Sequence, residues 1–209
     1  MFKLAPEGYP FISFFGIVTI IVFIAVRIWI APLPLILTIF MLYFFRDPER
    51  SIPEGDNIFV SPADWKVIVI GNVYEGRHLK SDAVQVSIFM SPLNVHVNRF
   101  PCDGIVESVV HTKGKFISAF KDEASIRNEN IAMLLSTRHG KILVRQVAGF
   151  IARRAVCRVK AGDTLKKGER YGIIKFSSRL DIYLPKGTNI KIKLGDKVKA
   201  GETVIGEMQ

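Results

Sequence analysis

Hydrophobic positions along this chain follow two regimes that change near residue 45. Residues 11–30 are apolar apart from Arg27 near their end. At ~1.5 Å per residue that run is long enough to span the ~30 Å hydrocarbon core of a bilayer. Ala31-Pro32-Leu33-Pro34 then interrupts it, because proline lacks the amide donor and restricts the residue before it. Residues 35–45 form a second apolar run, too short to cross by itself. Two full spans, with the second helix extending through the prolines, and a hairpin dipping into one leaflet both fit this pattern. A cleavable signal peptide does not: the start is weakly basic, no small-residue cleavage site follows, and a second apolar segment comes next.

Arg46-Asp-Pro-Glu-Arg50 marks the return to water, with its arginines on the cytoplasmic side. Residues 51–57 are a polar linker containing Pro and Gly. Beyond it the apolar positions shift to short, roughly alternating runs bounded by Gly, Pro, Asn and Asp. They predict strands at 58–60, 66–73, 84–89, 94–99, 104–111, 131–136, 141–147, 172–176 and 180–184. Residues 149–156 are the best helical candidate of this half, and 115–130 read as a longer loop. The expected architecture is mainly β (α+β): a membrane-anchoring apolar helical hairpin over residues 1–50, then a compact β-rich domain over 51–209.

Two internal echoes run through that domain. Pro62-Ala-Asp64-Trp-Lys-Val67 resembles Pro101-Cys-Asp103-Gly-Ile-Val106. Val159-Lys-Ala-Gly-Asp-Thr-Leu-Lys-Lys-Gly-Glu169 resembles Ile192-Lys-Leu-Gly-Asp-Lys-Val-Lys-Ala-Gly-Glu202. The second pattern is similar to the hairpin of lipoyl- and biotinyl-type sandwich domains, where glycine permits the tight turn. On that comparison Ser178 falls where a carrier domain presents its modified lysine, at an exposed, strained turn.

Charge narrows the partners. The chain has 29 Lys and Arg against 19 Asp and Glu, a net +10. Lys3, Glu7 and Arg27 leave the first 45 residues at +1, so the rest carries +9. Together with the apolar N-terminus this suits an anionic membrane surface, where each basic residue adds roughly 1 kcal/mol. No recognisable nucleic-acid-binding motif is present. Cys102 and Cys157 have neither metal-ligand spacing nor a disulfide framework and read as two buried thiols.

The candidate chemistry centres on Ser177-Ser178, between the last two predicted strands. A Ser-Ser pair is ordinary turn chemistry by itself. The blocks around it change that reading: Phe44-Phe-Arg-Asp-Pro-Glu-Arg50, Ser61-Pro-Ala-Asp64, Met90-Ser-Pro-Leu-Asn-Val-His-Val-Asn-Arg99, Gln146-Val-Ala-Gly-Phe-Ile-Ala-Arg-Arg154, and Gly162-Asp163 through Arg179-Leu-Asp-Ile-Tyr-Leu-Pro185. In this order they resemble the short, membrane-anchored form of the phosphatidylserine decarboxylases over nearly the whole chain.

The resemblance implies a proenzyme cut between Ser177 and Ser178. Chains 1–177 and 178–209 then stay together as a heterodimer, and Ser178 becomes a covalent pyruvoyl group, the only cofactor. Its ketone condenses with the amine of phosphatidylserine, and phosphatidylethanolamine is released. His96 is the implied acid/base, since imidazole exchanges protons near neutrality; His139 is the second choice. Asp64 matches the aspartate that works with histidine and serine in self-cleavage. Arg99, Arg153 and Arg154 are candidate partners for the substrate's phosphate or carboxylate. A homo-oligomer and an ether-linked archaeal serine lipid as substrate are both compatible with the sequence. Three positions depart from the family pattern: Ser177 stands where glycine is usual, Trp65 replaces the glycine after Asp64, and Arg99 occupies the place of a second histidine in long forms. The alternative from another class is a membrane-tethered sandwich domain that binds a partner or carries a group.

Overall fold

A computed structural model describes residues 3–25, 29–115, 117, 127–149, 154–175 and 178–208. The chain forms two compact units, Met1–Glu49 and Arg50–Gln209.

In the first unit a 3-10 turn, Pro6–Gly8, leads into helix α1, Tyr9–Ala25, and helix α2 is Pro32–Phe44. The prolines that separate the apolar runs also start the second one. Pro32 opens α2, where a missing N–H costs nothing because the first turn has no intrahelical acceptor for it. The helices pack antiparallel: Thr19 and Thr38 hydroxyls meet at 3.2 Å, and the Phe11 and Phe45 rings stack at 5.5 Å. Both threonine hydroxyls also return to carbonyls one turn back, Phe15 and Pro34. No α1 side chain is buried, and Phe14, Ile24 and Leu33 are all more than half exposed. Pro6–Ala25 is long and apolar enough to cross a membrane; α2, with 13 residues, is shorter.

The second unit is built of antiparallel sheets. Its strands are β1 Ile58–Val60, β2 Trp65–Glu75, β3 Ser81–Met90, β4 Val97–Arg99, β5 Gly104–Thr112, β6 Asn130–Thr137, β7 Gly140–Ala148, β8 Ala155–Cys157, β9 Thr164–Leu165, β10 Arg170–Ile174, β11 Ser178–Pro185, β12 Asn189–Ile190, β13 Lys197–Val198 and β14 Val204–Glu207. Eight strands join in the order β13-β2-β3-β11-β7-β6-β5-β9; two three-stranded sheets are ordered β1-β14-β12 and β4-β10-β8. The core draws Val86, Ile88, Val144, Leu180, Ile182 and Leu184 from one face of the large sheet. Phe59, Ile205, Tyr171 and Ile174 come from the small sheets. The mainly β expectation holds. The helical expectation for 149–156 fails at its end, where 155–157 is strand β8 paired with β10, and residues 150–153 lie outside the described set. Most of 115–130 lies outside it as well.

The two sequence echoes are physical partners. Val67 exchanges hydrogen bonds with the Gly195-Asp196 turn, Val67 N to Asp196 O and Gly195 N to Val67 O, both 2.9 Å. Val106 does the same with Gly162-Asp163 at 2.9 and 2.8 Å. The halves cross-link through Val60 N to Pro101 O and Arg99 N to Pro62 O. Each repeat is thus one strand plus one Gly-Asp hairpin, and the two are related by an approximate twofold exchange. Gly162 and Gly195 occupy the same left-handed conformation, φ +92° and +93°, which a Cβ disfavours.

Candidate functional site

Ser178 opens β11, in the middle of the eight-stranded sheet, paired with Met90 of β3 and Ala148 of β7. It is fully buried, and its Oγ has no hydrogen-bond partner among the described residues. The exposed, protruding corner expected from the carrier-domain comparison is therefore wrong. β10 and β11 do not form a hairpin: the chain leaves a three-stranded sheet at Ile174 and joins the centre of the large one at Ser178. The cause lies in the run after Ser178. Leu180, Ile182 and Leu184 supply a core face, and the charges between them are buried on the other face by pairing. Arg179 Nε meets Asp181 Oδ1 at 2.6 Å and its Nη2 donates to Ser87 Oγ at 2.9 Å. A second buried pair lies beside it, Arg145 with Glu75 at 2.9 Å and Arg145 with the Tyr183 hydroxyl at 2.9 Å.

His96 is fully buried on the segment that links Met90 to β4. Its carbonyl accepts from Ile174 N at 3.3 Å, so the segment is tied to the strand that precedes the serine pair. His96 Nδ1 lies 2.9 Å from the Asn94 carbonyl. A carbonyl only accepts, so Nδ1 carries a proton, and Nε2 is the ring atom left to act as a general base. The other histidines sit elsewhere. His139 is in the β6–β7 turn, nine residues from Ala148, the β7 partner of Ser178, roughly 30 Å at ~3.3 Å per residue. Burial and then Arg138 hold its pKa below the usual value. His78 lies in the β2–β3 loop, at that same far end, and burial likewise lowers it. His111 is half-exposed on β5, 3.1 Å from Glu129.

Asp64 is held from two sides. Arg50 Nη2 lies 3.0 and 2.9 Å from its two oxygens, and Ala200 N donates to Oδ1 at 2.8 Å. Its counterpart in the second repeat, Asp103, accepts Lys167 N in the same way at 2.7 Å. The backbone bond is therefore a turn-closing feature of both repeats, and the Arg50 pair distinguishes Asp64. Trp65 has φ +103°, the backbone glycine adopts most easily, and its ring lies 4.4 Å from Lys197 Nζ. Arg99 is buried, and its Nη1 donates to Gly168 O at 2.9 Å, inside the paired hairpins. Arg154 is exposed; Arg153 and Ser177 lie outside the described residues. Cys102 is buried, with its thiol pushed up to about 12 by burial and then by Asp103. Burial also raises Cys157, and both thiols are free.

Two residues with no assigned role in the sequence reading belong to this site. Gln146 Nε2 donates to Asn98 Oδ1 at 2.9 Å, and both side chains are buried. A signal was present: in the alternation of β7, Gln146 falls on the inward positions with Val144 and Ala148.

Sequence comparison supplies the class: proteins similar to this chain over nearly its full length are decarboxylases. A protein of Syntrophus aciditrophicus named phosphatidylserine decarboxylase proenzyme is 49% identical, covering 97% of this chain and 96% of its own. Proteins of the same name from Geotalea uraniireducens and Desulfotalea psychrophila are 45% and 44% identical, over 97% and 98% of this chain and 95% and 96% of theirs. The family model described as phosphatidylserine decarboxylase matches residues 37–206. The chain belongs to the phosphatidylserine decarboxylase family, and it is an enzyme, a decarboxylase.

Proposed function

We propose that this chain decarboxylates phosphatidylserine to phosphatidylethanolamine with a pyruvoyl group made from its own Ser178. The observation that carries the reading is the Ser178 hydroxyl, fully buried and without a hydrogen-bond partner among the described residues. Leaving such a group unsatisfied costs about 1–3 kcal/mol, and a folded chain has reason to keep it where the group reacts. The position fits a pyruvoyl precursor: only the backbone and Cβ of residue 178 are needed to build the group, in a water-poor interior.

Self-cleavage follows from the chain's own residues. Ser178 Oγ attacks the carbonyl carbon of residue 177, and His96 Nε2 takes the hydroxyl proton. The C–N bond to residue 178 breaks, its nitrogen takes up that proton, and the peptide becomes an ester. Elimination across Cα–Cβ of residue 178 releases the carboxylate of residue 177. Water then converts the dehydroalanine to the pyruvoyl group, with loss of ammonia. When present, that group supplies an electron sink for the pair released with carbon dioxide. His96 is also the acid that returns a proton to the substrate. Asp64, paired with Arg50, is the candidate aspartate that works with His96 and Ser178 in self-cleavage. Arg99, Arg153 and Arg154 are the candidate partners of the substrate's phosphate or carboxylate, and Arg99 also donates to Gly168 O.

The cut would leave residues 178–209 joined to residues 1–177 through β11, paired on both edges, and through β13 and β14. Residues 1–50 tether the enzyme to the membrane, with the catalytic domain on the cytoplasmic side. A denaturing gel of the purified chain tests the reading. Two products, 1–177 and 178–209, are expected from the wild type and one whole chain from Ser178→Ala. A wild type that stays whole contradicts it. Loss of cleavage in Ser177→Ala, with cleavage kept in Ser178→Ala, moves the site by one residue.

A further inference from the structure

Ser178 shares the core side of the large sheet with two buried amides. Met90 stands directly across from Ser178, and Asn98 Nδ2 lies 3.9 Å from Met90 Sδ. Gln146 stands across from Leu180, which makes it the diagonal neighbour of Ser178, a spacing of roughly 7–8 Å within reach of a long side chain. Gln146 Nε2 donates to Asn98 Oδ1 at 2.9 Å and to the Val156 carbonyl at 3.3 Å. Because a carbonyl only accepts, the Val156 contact fixes which end of the Gln146 amide is nitrogen. That fixes Asn98 with its oxygen toward Gln146 and its nitrogen toward Met90. Gly172 makes the arrangement possible: a Cβ there would come within 2.3 Å of Val156 O and 2.9 Å of Gln146 Nε2.

Asn98 and Gln146 are 0% and 1% exposed. Among the described residues the Asn98 amide nitrogen has only a thioether to donate to, a weak acceptor, while Gln146 Oε1 and Ser178 Oγ have no partner. An oriented, under-used donor that reaches Met90, the cross-strand partner of an under-used nucleophile, is what an acyl shift can use. On the self-cleavage reading above, we propose that Asn98 Nδ2 is the oxyanion donor of that shift and that Gln146 is the residue positioning it. As Ser178 Oγ bonds to the carbonyl carbon of residue 177, its proton passes to His96 and the carbonyl oxygen takes the electron pair. The oxyanion re-forms the carbonyl as the C–N bond breaks and residue 178 nitrogen takes the proton. Asn98 donates to that oxygen while it is charged.

The test uses full-length chain, freshly synthesised and followed over time on denaturing gels, with hydroxylamine added to half of each sample. Hydroxylamine cuts esters and leaves peptides intact. Asn98→Asp at pH 8 keeps the oxygen that Gln146 binds, removes the donor and adds a negative charge; Asn98→Ser is smaller, adds no charge and retains an O–H donor. Expected are a slowing of about 10²–10³-fold in Asn98→Asp with no fragment released by hydroxylamine, because the amide accumulates. Asn98→Ser cleaves faster than Asn98→Asp, an order that simple loss of packing would reverse. Gln146→Leu lowers the melting temperature, because Asn98 Oδ1 and the Val156 carbonyl lose their donor, and slows cleavage by a smaller factor than Asn98→Asp with no ester cut by hydroxylamine. Wild-type rates in both Asn98→Asp and Gln146→Leu, or an ester that accumulates and is cut by hydroxylamine in Asn98→Asp, overturn the proposal. Where Asn98→Asp does not fold, Gln146→Leu and Asn98→Ser decide by the same gel. A wild type that never cleaves defeats the self-cleavage reading itself, an outcome separate from failure of the variants to slow.

Discussion

The two faces of β11 treat polar groups in opposite ways. On the face turned from the core, Arg179 and Asp181 are 2% and 0% exposed, and the charges meet each other and Ser87. On the core face the side chains are Leu180, Ile182 and Leu184, and the one polar group, Ser178, has no partner among the described residues. Burial is equal, so solvent does not explain the difference. Buried charges survive when paired, since an unpaired one costs several kcal/mol. An isolated hydroxyl is cheap enough to keep, about 1–3 kcal/mol, and contributes nothing to stability where it stands. The paired face therefore reports what holds the strand, and the unpaired hydroxyl reports what the strand does.

Substitution on each face breaks the comparison differently. Ser178→Ala has the largest functional effect: no cleavage on a denaturing gel, with urea unfolding unchanged or slightly more stable than that of freshly made, uncleaved wild type. A large loss of stability there would mean that the hydroxyl is structural. Arg179→Ala removes the guanidinium that meets Asp181 and Ser87 and is expected to cost about 3–5 kcal/mol in urea unfolding. Replacing both Arg179 and Asp181 with apolar residues should cost less than the sum of the single changes.

The Glu75–Arg145 pair on that same face sharpens the point through pH. Burial pushes the Glu75 carboxyl up, but the amides of His78 and Leu79 and the Arg145 guanidinium outweigh it, and the balance lies below the usual value. A depressed carboxyl contributes stability that is present above its unfolded pKa of about 4.3 and is lost as pH falls through its folded pKa. Stability measured by urea from pH 7 down to pH 3 should therefore drop more steeply in the wild type than in Glu75→Gln. The smallest effect expected is at the cleavage junction. Ser177→Gly restores the residue usual in the family and removes a Cβ from the scissile junction, so self-cleavage timed on gels should speed up by roughly several-fold.

Much of this was legible in the sequence because its physics is local. Alternation located β1 and the centres of β2, β3, β5, β6, β7, β10 and β11, and the proline pair located the break between the helices. The Gly-Asp echoes were visible too, since both turns need the same residues. Pairing at a distance was not. Nothing near Arg179 announces Ser87, so the serine pair read as an exposed turn, whereas Ser178 opens a central strand. Residues 155–157 became β8 because β10 offers an edge, against a local pattern that favoured a helical turn. Asn98 and Gln146 lie 48 positions apart, and their hydrogen bond exists only once two sheets have packed.

The most direct measurement of the central claim is intact mass of the purified chain after treatment with a carbonyl-reactive hydrazide. Conversion of Ser178 predicts a label on the fragment 178–209, absent from 1–177 and from Ser178→Ala. An unlabelled whole chain, or a 178–209 fragment that begins with an ordinary serine amine, would contradict it.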